Sequence, residues 1–172
     1  MKKKLYEARD HLMAGISYAL PVIIAGGVTN LDDFAKTGGF YHYVWMFQNV
    51  GWSAIGLLNL VLSGYIAYSI AGKPALAAGF VGGVLASSTN AGFLGAVVSG
   101  FFAGWLTNKI KNKIKIKGAA ASSVPLIILP LLTMGAVGIL MSLILGGPLG
   151  WINTSLLNWV TQMSENNTNV VI

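Results

Sequence analysis

Residues 74–108 read PALAAGFVGGVLASSTNAGFLGAVVSGFFAGWLTN, thirty-five positions without a charged side chain. A helix that crosses a bilayer takes about 20 predominantly apolar residues, so this block is long for one crossing and slightly short for two. A dividing turn stands at its middle. Ser87-Ser88-Thr89-Asn90 offers three hydroxyls and an amide that can bond local backbone, and Gly92 follows. The block therefore reads as two short or broken helices, about 75–86 and 91–107.

The chain on either side repeats the pattern. Sixteen charged residues among 172 sit almost entirely at the edges of four uncharged blocks, residues 12–31, 37–72, 74–108 and 118–164. A soluble domain carries about 25% charged residues. Here the figure is 9%, with 55% hydrophobic residues and a mean hydropathy of +0.69. That composition belongs to a membrane protein. The net charge of +6 does not point to nucleic acid, because the lysines stand beside apolar spans and not on a soluble amphipathic segment. Cysteine is absent, which excludes a disulfide framework, a thiolate metal site and a cysteine nucleophile.

Met1-Lys2-Lys3-Lys4 resembles the basic start of a secretory signal. The apolar run after it continues to about Leu31 without a small-x-small cleavage site leading into a soluble mature domain. Lys2, Lys3, Lys4 and Arg9 are therefore read as a cytoplasmic anchor for a retained first span, about 12–28. Pro21 at its middle, with Gly15, Gly26 and Gly27 around it, predicts a kinked, protein-facing helix. Asp32, Asp33 and Lys36 open an acidic outer loop, in which Tyr41, Tyr43 and Trp45 read as an interfacial aromatic belt. A second span covers about 52–70.

Charge parity sets the number of crossings. Lysines collect on the cytoplasmic side of short loops, so Lys73 and the run Lys109, Lys111, Lys113, Lys115 and Lys117 belong on one side, separated by an even number of crossings. Two short spans satisfy this. So does a hairpin that enters and leaves from the cytoplasmic face. The lysine run alternates with Ile110, Asn112, Ile114 and Ile116, which suggests a short extended or amphipathic connector, topogenic or recruiting anionic lipid. A fifth span, about 124–145, carries Pro125 and Pro130 and is expected to end at Gly146-Gly147-Pro148. In residues 149–163, Leu149, Ile152, Leu156, Trp159, Val160 and Met163 recur near helical spacing, while Asn153, Ser155, Asn158 and Gln162 take the other face. This predicts an interfacial amphipathic helix with Trp151 and Trp159 at headgroup depth. Beyond the polar tail at Glu165–Asn169, Val170-Val171-Ile172 look like the start of a further span. Residues 1–172 thus read as one membrane domain, an all-α polytopic helix bundle of about five spans plus the surface helix.

Chemistry is sparse in these spans. Glu7, Asp10, Asp32, Asp33 and Glu165 all lie outside them, leaving no buried carboxylate for a proton relay or cation site. That argues against a self-sufficient ion-coupled carrier. His11 at the mouth of the first span and His42 in the outer loop lack a partner acid or second ligand, and are read as interfacial. No catalytic, cofactor-binding or metal residue is assigned, no cofactor is expected, and the substrate-binding residues are left open. The pairs Gly79/Gly83 and Gly100/Gly104 permit close helix contact.

The stretch from His11 to Pro21 (HLMAGISYALP), continuing into Ala25-Gly26-Gly27, resembles the start of the membrane (IIC) component of fructose-type sugar permeases of the bacterial phosphotransferase system. Ile66–Pro74 (IAYSIAGKP), Gly79-Phe80-Val81-Gly82-Gly83 and Gly92-Phe93-Leu94-Gly95 resemble that family's second signature. The chain departs from the family at Ala78, where a proline is often seen, and in the lysine density of residues 109–117. The resemblance implies a permease that binds an external hexose and exposes it inward, where a phosphocysteine on a IIB domain, charged through IIA from phosphoenolpyruvate, phosphorylates it. It implies about ten spans in two halves joined by an amphipathic helix, the first half forming the dimer interface and the second holding most of the sugar site. The chain is accordingly identified with the N-terminal half of such a component, in the bacterial inner membrane with its N-terminus cytoplasmic. Implied partners are IIB and IIA, a C-terminal IIC half, hexose, membrane lipid and a second copy, and no nucleic acid. Fructose, mannitol and mannose derivatives stay open as substrates, and the family's principal sugar contacts have no counterpart here. Two other readings are a small substrate-capture subunit of another transporter, which needs a polar pocket and a partner ATPase, and a dimerisation or regulatory membrane subunit.

Overall fold

Backbone in lipid must satisfy its own N–H and C=O groups, which helices do within one segment. The computed structural model describes residues 2–26, 41–113 and 127–168, and these are helical almost throughout. The elements are α1 (Lys2–Gly26), α2 (Tyr41–Ala71), α3 (Lys73–Ser88), α4 (Gly92–Lys113), α5 (Leu129–Ile139), a π-helical stretch (Leu140–Leu145) and α6 (Gly146–Thr168). By length and hydropathy, two helical stretches qualify as membrane spans, Trp45–Ala71 and Leu129–Met163.

Helix α2 is the axis of the bundle, packed by α1, α3 and α4, while α5 lies on α3 and α4. The chain reverses between α2 and α3 at Gly72, whose φ of +78° suits a residue without Cβ. Pro74 then occupies the first turn of α3, where its missing N–H costs nothing. The second reversal falls at the expected Ser-Thr-Asn turn. The Thr89 N–H and hydroxyl both donate to the Leu85 carbonyl, and Asn90 and Gly92 adopt φ of +56° and +53°.

Two ends of the bundle follow from these contacts. At one, His11 of α1 meets Ser69 of α2, Lys73 opens α3, and Gly104 packs on Ile70, so the lysines that close α4 lie close by. At the other, Ser87 meets Asn59 and Thr89 meets Gly146. At 1.5 Å per residue, the 16 residues of α3 span about 24 Å, somewhat less than the roughly 30 Å hydrocarbon core.

Four boundaries differ from the sequence reading. α1 is helical from Lys2, and its buried contacts are Gly15 and Ala19, whereas Pro21 is exposed and does not face the bundle. Tyr41, Tyr43 and Trp45 belong to α2 and not to a loop; hydropathy marks where lipid ends, and nothing between residues 41 and 52 stops a helix. Helix α4 runs on through Lys109, Lys111 and Lys113, so this part of the lysine run is neither extended nor a separate connector. Gly146-Gly147-Pro148 does not end the fifth helix. The Gly146 N–H bonds the Met141 carbonyl in π-helical fashion, and this wider turn accommodates the Pro148 ring that would otherwise crowd the preceding turn. The acidic loop at Asp32, Asp33 and Lys36, Lys115, Lys117, Pro125 and the apolar end at 170–172 lie outside the described residues.

Candidate functional site

The densest part of the molecule is built from residues too small to keep helices apart. A Cβ added at Gly79 would lie 2.7 Å from the Gly64 Cα and from the Ser63 carbonyl oxygen, and one at Gly83 would lie 2.6 Å from the Leu60 Cα. On α4, a Cβ added at Gly100 would lie 2.7 Å from the Ser63 carbonyl oxygen, and one at Gly104 would lie 2.7 Å from the Ile70 side chain. Both glycine pairs flagged by spacing therefore seat their helices on α2. Ala67, Ala75, Ala78, Ala96 and Ala103 complete the core. Close backbone approach gains dispersion contacts, the main packing force between helices in lipid.

Polar groups inside this core are paired. Ser63 of α2 and Ser99 of α4 share a buried hydrogen bond of 2.9 Å, and Ser99 also reaches the Ala96 carbonyl at 3.1 Å. Thr107 and Thr133 donate to carbonyls one turn back on their own helices. No buried side-chain N or O among the described residues lacks a partner. The sequence offered a signal for the cross-helix pairs, since Asn59, Ser63 and Ser99 interrupt apolar runs; it could not say which helix supplies each partner.

At the hairpin tip, Asn59 donates to the Ser87 hydroxyl at 3.0 Å and Asn153 of α6 donates to the Asn90 carbonyl at 3.0 Å. Gly150 lies against the Thr89 carbonyl, where a Cβ would stand 2.6 Å away. The first two turns of α6 are thus fixed to the α3–α4 turn, and from Trp151 to Met163 every residue but Asn153 is exposed.

At the other end, the Ser69 hydroxyl donates to the Ile66 carbonyl at 2.8 Å. The His11 Nδ1 lies 3.0 Å from the same hydroxyl, and the imidazole tautomer sets which of the two donates. His11 is a half-buried clasp between α1 and α2, and His42 lies on α2, outside the residues whose side chains are described. Tyr18 stacks on Tyr65 with ring centres 4.0 Å apart, and Tyr65 meets Phe80 edge-on, joining α1, α2 and α3. Arg9 pairs with Asp10 at 2.9 Å in the open, a contact of little energetic weight.

Among the described residues no group of three His, Cys, Asp or Glu could hold a metal. An apolar groove of about 380 Å³ runs along the start of α2, lined by Trp45, Met46, Phe47, Asn49 and Val50. Its one amide is spent on the Trp45 carbonyl. The arrangement offers hydroxyls, amides and tight packing.

The family model described as "Phosphotransferase system, EIIC" matches residues 13–172. The chain is 37% identical over 174 aligned residues to the PTS system 2-O-alpha-mannosyl-D-glycerate-specific EIIABC component of Escherichia coli (strain K12), covering 94% of this chain and 26% of that protein. It is 30% identical to the PTS system fructose-specific EIIABC component of Bacillus subtilis (strain 168), covering 91% and 26%. Identity is 28% to the PTS system fructose-specific EIIC component of Haloferax volcanii, covering 95% of this chain and 50% of that protein. The chain thus spans between about a quarter and a half of the length of these relatives. No solved structure matches it significantly.

Proposed function

We propose that this chain, which belongs to the phosphotransferase system EIIC family, forms the scaffold part of a membrane permease that translocates fructose or a related hexose for phosphorylation by a IIB domain. The observation that carries the reading is the family match over nearly the whole chain, joined to a helical bundle whose core is packed by glycine and alanine. Similarity to proteins named EIIABC components supports IIB and IIA as working partners. With no cysteine in residues 1–172, a phosphocysteine donor lies outside them. Translocation needs the remainder of a permease as well, because the chain spans about half of even an EIIC-only relative.

Five membrane-embedded stretches, residues 12–28, 52–70, 75–86, 91–107 and 124–145, with residues 149–163 lying along the surface, are part of this proposal, as is a homodimer. Support for the crossing pattern comes from the two bundle ends: every cation whose side chain is described lies at or beyond the His11–Ser69 end, the distribution that marks a cytoplasmic face. On this reading the N-terminus lies in the cytoplasm of a bacterial cell. Single cysteines at Lys36 and Lys113 test it, since the chain has none of its own; labelling of both from one side defeats the topology. Function is tested in membranes that hold this chain with the complementary IIC segment, IIB and IIA, by phosphoenolpyruvate-dependent phosphorylation of labelled fructose, mannitol and mannosylglycerate. Sugar phosphorylation that persists when this chain is left out would refute the reading.

A further inference from the structure

We propose that Lys3, Lys4, Lys73, Lys109, Lys111 and Lys113 form a docking rim for the phosphate headgroups of an anionic bilayer leaflet. The inference does not depend on the permease reading. Three helices deliver these cations to one end. His11 beside Ser69 sets the level at which the basic start of α1 leaves the bundle, Lys73 follows two residues after the end of α2, and Gly104 against Ile70 brings the end of α4 alongside. All six are exposed.

Charge at this end is one-sided. Glu7 and Asp10 are the acids present, and Asp10 is held by Arg9 at 2.9 Å. From residue 45 to 72, from 74 to 108 and from 127 to 163, no described side chain is charged. Among the described side chains the whole net charge therefore lies on one rim.

The choice of lipid over an acidic protein rests on depth and shape. Lys109 Nζ lies 4.6 Å from the ring centre of Trp105, and that indole is 53% exposed directly below the lysines. An exposed tryptophan at the edge of an apolar bundle marks the headgroup layer, so an ammonium parked over its face sits at phosphate height. The cations also stand on separate helices packed around α2, with α1 bearing two and α4 three. A planar array of phosphates can meet all of them together; a compact acidic surface cannot. The flexible stems of lysine allow each head to follow the layer.

The test uses the whole chain in phosphatidylcholine vesicles doped with spin-labelled phosphatidylglycerol, reading the motionally restricted fraction against labelled phosphatidylcholine. Wild type should prefer the anionic lipid several-fold. Each cation near a charged surface contributes up to about fivefold, so the K109Q/K111Q/K113Q variant should bring the preference most of the way to equal restriction of the two lipids, and molar salt should do the same by screening. K3Q/K4Q, on another helix, should lower it separately, which guards against misfolding of either variant; circular dichroism in neutral lipid should be unchanged for both. Equal restriction of the two lipids by wild type overturns the proposal. So does a triple variant that keeps the lipid preference but loses co-sedimentation with an acidic IIB domain, which would assign the rim to protein.

Discussion

Replacing Gly79 and Gly83 by alanine should separate α3 from α2 and weaken the bundle by an amount the geometry fixes. A methyl at Gly79 would stand 2.7 Å from the Gly64 Cα, whereas non-bonded carbons rest at about 3.5–4.0 Å. The helices must part by nearly an ångström. A gap of 0.5–1 Å forfeits about a quarter to a half of each contact's 0.1–0.2 kcal/mol, so an interface of roughly 40 atom pairs loses about 2 kcal/mol. This agrees with the about 1–3 kcal/mol measured for overpacked cores. Gly83→Ala should cost a similar amount, since its Cβ would meet the Leu60 Cα at 2.6 Å. The double variant should cost well under the sum, because one displacement relieves both clashes. Gly56→Ala and Gly135→Ala are the controls; neither position has an atom within 4 Å of an added Cβ, and alanine there should be neutral or stabilising by up to about 1 kcal/mol. Reversible unfolding in mixed micelles, followed by far-ultraviolet circular dichroism, measures all five. Losses below about 0.5 kcal/mol at Gly79 and Gly83, or strict additivity, would show that the small residues do not set the helix spacing.

At the hairpin tip, Asn90→Gly should match or exceed wild-type stability, because it removes the Cβ at a φ of +56°, whereas Asn90→Ala should lose about 1 kcal/mol, because alanine tolerates the left-handed region less well than asparagine; the same unfolding assay separates them. Asn153→Ala removes the amide that holds α6 on the Asn90 carbonyl, and hydrogen exchange at residues 89–92 and 150–154 should accelerate several-fold while the α2–α4 core is unchanged. A Ser63→Ala, Ser99→Ala double-mutant cycle should return a coupling of about 0.6 kcal/mol, typical of hydrogen bonds between membrane helices; a value near zero would mean that the 2.9 Å contact adds nothing to the packing around it.

Helix class and the hairpin turn were legible because charge and turn chemistry act locally. Lys73 and Lys109 bracket an uncharged run, and Ser87–Asn90 can close a reversal with their own hydroxyls and amides. Helix ends were less legible, since hydropathy reports where lipid stops and not where i→i−4 hydrogen bonding stops. Tyr41–Gly51 and Lys109–Lys113 extend helices past the apolar edge for that reason. Pro148 misled for a different one: a proline stops an ordinary α-helix, but a π turn placed just before it lets the backbone continue. The candidate site was legible only as parts. Gly79 and Gly83 announced a close contact, yet their partners lie 12 to 24 residues back on α2, and Asn153 finds Asn90 across 63 residues, separations that no periodicity encodes.

The brevity of α3 bears on how the protein is made. Sixteen residues, with Lys73 at the start and two serines at the end, hold too little apolar length to partition into lipid alone. Joined by a three-residue reversal to α4, they can enter as a pair, with polar ends of both arms and the turn between them carried in one movement. α2 is already in place by then, offering Ser63, Gly64 and Ala67 as the surface on which that pair lands. Synthesis order thus hands each short arm a seat before it is needed.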